Sequence, residues 1–170
     1  MRKEWFGAVI ALAVVAMVSY VWLAPPAREP APAVTLPTLE GESAALSDYR
    51  GGPVMVVFWA TTCTTCIAEM PDLVALHQKL ADRGLSILGV AMAYDPPDQV
   101  RALVERRALP YEIVLDNEGA IARAFDNVRV TPTTVLIDPA GQIVWQRIGH
   151  LDFDAVESQI RGMLDEAQAS

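Results

Sequence analysis

The sequence of 170 residues contains only two cysteines and two histidines, and this scarcity narrows the possible site chemistry. A framework of several disulfides needs more cysteines, and a structural zinc site usually takes four ligands in two close pairs. His77 and His150 lie far from the cysteines and from each other. We therefore expect neither a disulfide-rich scaffold nor a structural zinc site.

Basic residues are also in short supply. The chain has 13 lysines and arginines against 21 aspartates and glutamates, which gives a formal net charge of −8 at pH 7. Binding to nucleic acid depends on clusters of basic side chains, and the sequence contains no such cluster. The composition therefore argues against nucleic acid as a partner.

Charge is absent altogether from an apolar run at residues 5–24. As a helix, about twenty residues would span roughly 30 Å, the thickness of the hydrocarbon core of a bilayer. Bulky Trp22 stands where a signal-peptide cleavage site needs a small residue, which favours an uncleaved anchor over a cleaved signal. The basic tip at residues 1–4 favours the cytoplasmic side. We predict a single-pass anchor in the inner (cytoplasmic) membrane, with the remaining chain on the periplasmic or extracytoplasmic side.

Two further parts follow the predicted anchor, which comprises residues 1–24. Residues 25–34, "PPAREPAPAV", are rich in proline and alanine and are predicted to form an extended linker. Residues 35–170 are predicted to form one globular domain, long enough to bury a sizeable core.

Strand and helix patterns alternate along this domain. Apolar runs at residues 53–60 and 85–93 are typical of strands buried on both faces, and helical periodicity follows each of them. The later part predicts a strand at 112–115, a short helix at 119–125, a hairpin over 133–149 and a last helix capped by Asp152 or Asp154. This order predicts an α/β fold with a mixed β-sheet flanked by helices.

Both cysteines lie in "VVFWATTCTTCIAEMP", where the first buried strand gives way to a helix. Free N–H groups at a helix start stabilise negative charge, so Cys63 is expected to form the attacking thiolate. Cys66, one turn on, is placed to close a disulfide with it. A purely structural disulfide is disfavoured because so short a loop removes little chain entropy. Thr64 and Thr65 either bind the thiolate or simply begin the helix, and the sequence does not decide between these roles.

Together with "VRVTPTTVLID" and "PAGQIV", this motif resembles the TlpA/ResA-like branch of the thioredoxin superfamily across the whole predicted domain. The resemblance implies a thioredoxin-like fold and a redox-active disulfide between Cys63, the nucleophile, and Cys66, the resolving cysteine. It also implies a cis-proline loop at Thr131 and Pro132 that binds an extended substrate segment.

The sequence departs from this family near the cysteine pair. Thr62 stands where the family usually has tryptophan, and Val57 replaces the buried aspartate of typical thioredoxins. The motif therefore does not identify a proton acceptor for Cys66. Glu69 and Asp95 are candidates, although solvation at the surface is the role we expect for each.

These observations predict a membrane-anchored, extracytoplasmic thiol–disulfide oxidoreductase that acts on protein dithiols and disulfides without a cofactor. The resemblance implies a transmembrane thiol electron donor and substrates such as apocytochrome c. An oxidase or isomerase running the same exchange in reverse is an alternative, as is a copper-binding module with the two cysteines as soft ligands. A peroxidase of the peroxiredoxin type is disfavoured because Ala60 stands where that chemistry needs threonine or serine.

Overall fold

The computed structural model describes residues 28–169 and five positions of the N-terminal apolar run, residues 12, 14, 15, 17 and 19, which are helical. The remainder of the predicted anchor and its basic tip lie outside the described residues. Within the described part of the chain, no helix has both the length and the apolar character needed to cross a membrane.

Seven strands occur in the described residues: β1 (Thr35–Pro37), β2 (Ser43–Ala45), β3 (Val54–Trp59), β4 (Ser86–Ala91), β5 (Glu112–Leu115), β6 (Thr133–Ile137) and β7 (Ile143–Ile148). The last five form one sheet in the order β5-β4-β3-β6-β7. β4 lies parallel to both β3 and β5, whereas β6 runs antiparallel to β3 and β7. The sheet is therefore mixed, as the alternation of elements predicts.

The helices of the domain are α1 (Thr64–Leu80), α2 (Pro97–Arg107), α3 (Ala120–Ala124) and α4 (Phe153–Gln168). Pro71 lies inside α1, where it supplies no N–H for the helical ladder. Asp152 is the residue that caps α4, since its carboxylate accepts a hydrogen bond of 3.1 Å from the Ala155 N–H.

Two hydrophobic layers cover the sheet, because successive side chains of a strand point to opposite faces. On β3, Met55, Val57 and Trp59 belong to the layer that contains the apolar faces of α1, α2 and α4. Val54, Val56 and Phe58 belong to the other layer, with α3 and the segment around β1. All six residues of β3 are buried, so the core fixes the position of the strand end that leads to α1.

The N-terminal part of the domain contains features that the sequence patterns did not indicate. β1 and β2 form a separate antiparallel hairpin, and a turn of 3-10 helix at Leu46–Tyr49 follows it. The strands have three residues each, too short for a readable alternation of polar and apolar side chains.

Part of the predicted linker, residues 28–34, lies against the domain. The Ile143 N–H donates a hydrogen bond of 2.7 Å to the Glu29 carbonyl, and the Ala31 N–H donates one of 2.9 Å to the Gly141 carbonyl. Arg28 forms an ion pair of 2.9 Å with Asp138. This attachment lies beyond the C-terminal end of β6, opposite the end of the sheet where β3 leads to the cysteines.

The packing of Gly52 generates a stability prediction. A Cβ at this position would collide with the Gly84 carbonyl oxygen, which is backbone and has little room to move. We expect Gly52→Ala to lower the free energy of unfolding by about 1–3 kcal/mol, as overpacking typically does. Urea unfolding of the two proteins measures the difference.

Gly162 in α4 provides the matched control, because a Cβ there would meet no atom within 4 Å. Gly162→Ala should raise the free energy of unfolding by up to about 1 kcal/mol through better helix propensity. Equal effects of the two substitutions would contradict the close approach of Gly52 to Gly84.

Candidate active site

Cys63 is the N-cap residue of α1, at the point where the chain leaves β3. Its Sγ accepts a hydrogen bond of 3.1 Å from the Cys66 backbone N–H, one of the donors that a helix start leaves without a helical partner. Cys63 and Cys66 form a disulfide with a Cα–Cα distance of 5.3 Å. Cys63 is half-buried, whereas Cys66 is only 3% exposed. The two sulfurs therefore have different access to a partner protein.

Thr64 and Thr65 are exposed, and within the described residues their hydroxyls make no hydrogen bond to the sulfur of Cys63 or to another group. The donor that faces the sulfur is the backbone N–H of Cys66. In this oxidised form the two threonines simply begin the helix.

The loop before β6 borders the disulfide on its other side. The Thr131–Pro132 peptide bond is cis, which confirms the sequence expectation for this bond. Pro132 and Cys66 line the same small cavity. The Gly149 N–H donates a hydrogen bond of 2.8 Å to the Pro132 carbonyl, and Val130 just before the loop is 52% exposed. The binding of substrate by Thr131 and Pro132 stays a prediction.

The cavity beneath the disulfide is small and has few polar groups. It has a volume of about 10 Å³, close to the minimum that admits one water molecule. Val57 supplies an apolar wall at the place where thioredoxins have an aspartate. Tyr111 also lines the cavity, and burial raises its pKa well above the ordinary value, so its hydroxyl stays neutral.

Glu69 is the carboxylate among the residues that line this cavity, and the expectation that it is a solvated surface residue is wrong. It is 3% exposed and lies three residues after Cys66 on the same face of α1. Its Oε1 accepts a hydrogen bond of 3.0 Å from the Leu151 N–H and lies 2.7 Å from His150 Nδ1. The sequence feature that could have identified Glu69 as a site residue is its spacing of three residues, about one helical turn, from Cys66.

Asp95 is also buried, at 6% exposure, so the expectation of a solvated side chain is wrong here too. Its two carboxylate oxygens accept hydrogen bonds from the backbone N–H and the hydroxyl of Thr61. Thr61 lies between β3 and Cys63, so Asp95 holds the turn that leads to the disulfide. Glu69 lines the cavity with Cys66 and Asp95 does not, so Glu69 is the better placed candidate acceptor for a proton from Cys66.

Comparisons of sequence agree with this site. The profile of the AhpC/TSA family matches residues 27–146. A protein named thiol-disulfide oxidoreductase ResA, from Geobacillus kaustophilus, is 34% identical over 133 residues, which is 78% of this chain and 75% of that protein. The thioredoxin-like protein YneN of Bacillus subtilis is 34% identical over 132 residues, 76% of each chain.

Solved structures show the same thioredoxin-like fold. The solution structure of a putative thioredoxin from Neisseria meningitidis matches with a TM-score of 0.75 at 30% identity, over 85% of this chain and 95% of that one. The crystal structure of a putative thiol:disulfide interchange protein DsbE from Chlorobium tepidum matches with a TM-score of 0.74 at 26% identity, over 83% and 99% of the two chains.

The different burial of the two sulfurs predicts a difference in reactivity after reduction. Cys63 is half-buried beside a helix N-terminus and Cys66 is almost fully buried, so iodoacetamide should modify Cys63 first. Peptide mass spectrometry after short exposure to the reagent measures the order. Equal labelling, or earlier labelling of Cys66, would contradict the assignment of Cys63 as the attacking cysteine.

Proposed function

Since the chain belongs to the AhpC/TSA family and is a thiol–disulfide oxidoreductase, we propose that it is a membrane-anchored, extracytoplasmic reductase of protein disulfides. The observation that carries the proposal is the Cys63–Cys66 disulfide at the N-terminus of α1, beside the cis bond before Pro132. A helix N-terminus stabilises the thiolate, and an exposed edge of the site admits a partner's disulfide.

The first step begins from the reduced pair. The Cys63 thiolate attacks one sulfur of a partner's disulfide, a bond forms between Cys63 and that sulfur, and the partner's other sulfur leaves as a thiolate. The Cys66 N–H, which hydrogen-bonds the Cys63 sulfur in the disulfide, is placed to stabilise the negative charge on this sulfur before the attack.

The second step releases the partner. Cys66 attacks the Cys63 sulfur, the bond to the partner breaks, and the partner leaves with both of its sulfurs reduced. Cys66 must first lose its proton in a cavity with little polar surface, and Glu69 is the carboxylate that lines this cavity. We assign Glu69 as the acceptor of that proton.

Docking of the partner is assigned to the cis-proline loop. An extended segment next to Thr131 and Pro132 would lie across the half-buried Cys63, with main-chain groups available for hydrogen bonds. Exposed Val130 offers an apolar contact beside them. Main-chain recognition of this kind accepts many sequences, which suits a reductase with several protein substrates.

The membrane anchor is assigned to residues 5–24. Leu12, Val14, Val15 and Met17 are helical and between 54% and 70% exposed, so the described domain does not cover these apolar side chains. The domain holds the chain from Arg28 onward at the end of the sheet opposite the disulfide. With residues 25–27 alone between anchor and domain, the disulfide would face away from the bilayer.

We assign the direction of electron flow and the substrates from the proposed extracytoplasmic location. In an oxidising compartment a reductase needs a supply of electrons, for which we assign a transmembrane thiol donor, with apocytochrome c among the substrates. An oxidase or isomerase would use the same residues in the reverse direction. A peroxidase is disfavoured because the buried Ala60 carries no hydroxyl at the position that such chemistry requires.

Substitution of each cysteine tests the proposed exchange. Cys63→Ser should abolish reduction of insulin disulfides, because a serine hydroxyl does not form the attacking anion at neutral pH. Cys66→Ser should still attack but cannot resolve, so a partner should accumulate on Cys63 and be released by dithiothreitol. Non-reducing electrophoresis followed by mass spectrometry measures the trapped species.

The double variant with both cysteines replaced is the control for non-covalent association. A structural disulfide predicts no trapping by any variant, and a copper site predicts that both single variants lose stoichiometric metal binding. Failure of Cys66→Ser to trap a partner would refute the exchange mechanism.

The anchor has its own test. The intact protein should stay with the membrane fraction after carbonate extraction, because an apolar helix of about twenty residues spans the bilayer. A protease added to the outer side should digest the domain, while the same protease added to the cytoplasmic side should not. A soluble mature protein that begins after residue 24 would show that the segment is a cleaved signal.

A further inference from the structure

The segment between β7 and α4 contacts both sides of the active site, and the exchange mechanism above does not use it. The Gly149 N–H donates to the Pro132 carbonyl at 2.8 Å, on the side of the cis-proline loop. The Leu151 N–H donates to Glu69 Oε1 at 3.0 Å, on the side of the buried cavity. Between them, His150 places Nδ1 2.7 Å from the same oxygen.

The His150–Glu69 contact joins a buried group to an exposed one. The Glu69 side chain is 3% exposed, whereas the His150 side chain is 70% exposed. At 2.7 Å the Nδ1 atom is close enough for its charge to act directly on the carboxylate. The contact is an ion pair when the His150 imidazole is protonated and a polar contact when the imidazole is neutral.

Of the groups near Glu69, His150 is the one whose positive charge can change. Tyr111 and Cys66 face the cavity with Glu69, and burial raises the pKa of Tyr111, which stays neutral. Asp152 is the next acidic residue after His150, and its carboxylate caps α4. Among the described residues, no lysine or arginine pairs with Glu69.

We propose that His150 is a positioning residue that holds the Glu69 carboxylate toward Cys66 and, through its own charge, sets how readily that carboxylate accepts the proton of Cys66. The inference rests on the proposed exchange mechanism. Histidine is the side chain that changes charge between about pH 5 and 8, so the effect falls in the range that an extracytoplasmic protein meets.

The proposed effect concerns the second step alone. Cys66 gives its proton to Glu69 and attacks the Cys63 sulfur; the Cys63–partner bond breaks, the Cys63–Cys66 bond forms, and the partner's sulfur leaves as a thiolate. An imidazolium ion withdraws charge from Glu69 and makes it a weaker proton acceptor than a neutral imidazole does. Hydrogen bonds from charged donors are roughly twice as strong as neutral ones, so the difference is measurable.

Reaction of the reduced full-length chain, in mild detergent, with 5,5′-dithiobis(2-nitrobenzoate) separates the two steps. Attack by Cys63 releases one thionitrobenzoate, and resolution by Cys66 releases the second. Stopped-flow absorbance therefore gives a rate for each step in one experiment. His150→Asn is the key variant, because asparagine keeps a polar side chain at this position but does not gain a charge.

We expect the second-phase rates of wild type and His150→Asn to be about equal near pH 8, and the wild type to be roughly tenfold slower near pH 5. Both proteins contain the same two cysteines. The ratio of their second-phase rates at each pH therefore removes the effect of cysteine ionisation. His150→Ala removes the polar contact altogether and should slow the second phase about threefold or more near pH 8, while asparagine restores it. The first phase should be unchanged in both variants.

His77 is the matched control, since it is the second of the two histidines in the chain. The centroids of the His77 and Tyr111 rings are 6.2 Å apart, and burial lowers the pKa of His77. His77→Asn should keep the pH-dependent ratio. Loss of the pH dependence in His77→Asn, or a ratio of wild type to His150→Asn that is constant from pH 5 to 8, would overturn the role of His150.

The same traces distinguish this inference from the function on which it rests. Release of only one thionitrobenzoate per chain by the wild type would refute resolution by Cys66 and with it the proposed exchange. Two normal phases with a constant ratio would refute the role of His150 alone. Thermal unfolding of each variant identifies any loss of folded protein, and the first phase reports the fraction of active Cys63.

Discussion

The hydrogen bond from the Cys66 N–H to the Cys63 sulfur is the interaction on which the chemistry of this domain depends. It requires that α1 begin at Cys63, and the surrounding structure fixes that starting point from two sides. All six residues of β3 are buried in the middle of the sheet, and Asp95 binds both the N–H and the hydroxyl of Thr61 in the connecting turn. The sulfur therefore meets oriented backbone donors that need little rearrangement when it becomes a thiolate.

The two cysteines need opposite surroundings, and a spacing of three residues at a helix start provides both. Cys63 lies at the polar end of the helix and is half-buried, so it can form an anion and meet a partner. Cys66 is one turn deeper and borders a cavity too small for more than about one water molecule. Such a place disfavours a second anion. In the proposed mechanism the Glu69 carboxylate accepts the proton of Cys66, so that the number of anions in the cavity stays the same.

The sequence was sufficient to predict the elements that depend on local patterns. The buried run of β3, the helical stripe of α1 and the hairpin of β6 and β7 are long enough for their periodicity to be read. The surroundings of Glu69 and Asp95 were not predictable in this way. Leu151 is 82 positions away from Glu69, and Thr61 is 34 positions away from Asp95. A carboxylate can be buried only where distant groups donate hydrogen bonds to it, so its burial is a property of the tertiary fold.

Residues 28–34 likewise show that composition alone does not predict tertiary contacts. A segment rich in proline and alanine is typical of a free spacer, yet here its backbone groups bond to the turn between β6 and β7, and Ala31 and Val34 pack against the core. Proline lacks an N–H but retains its carbonyl, so the alternate residues of such a segment can still pair along a sheet edge. Because this attachment and the disulfide lie at opposite ends of the sheet, the site where the chain enters the domain and the site of chemistry are separated by the full length of β3 and β6. The proposed membrane tether at one end would thus leave the other end open to protein partners.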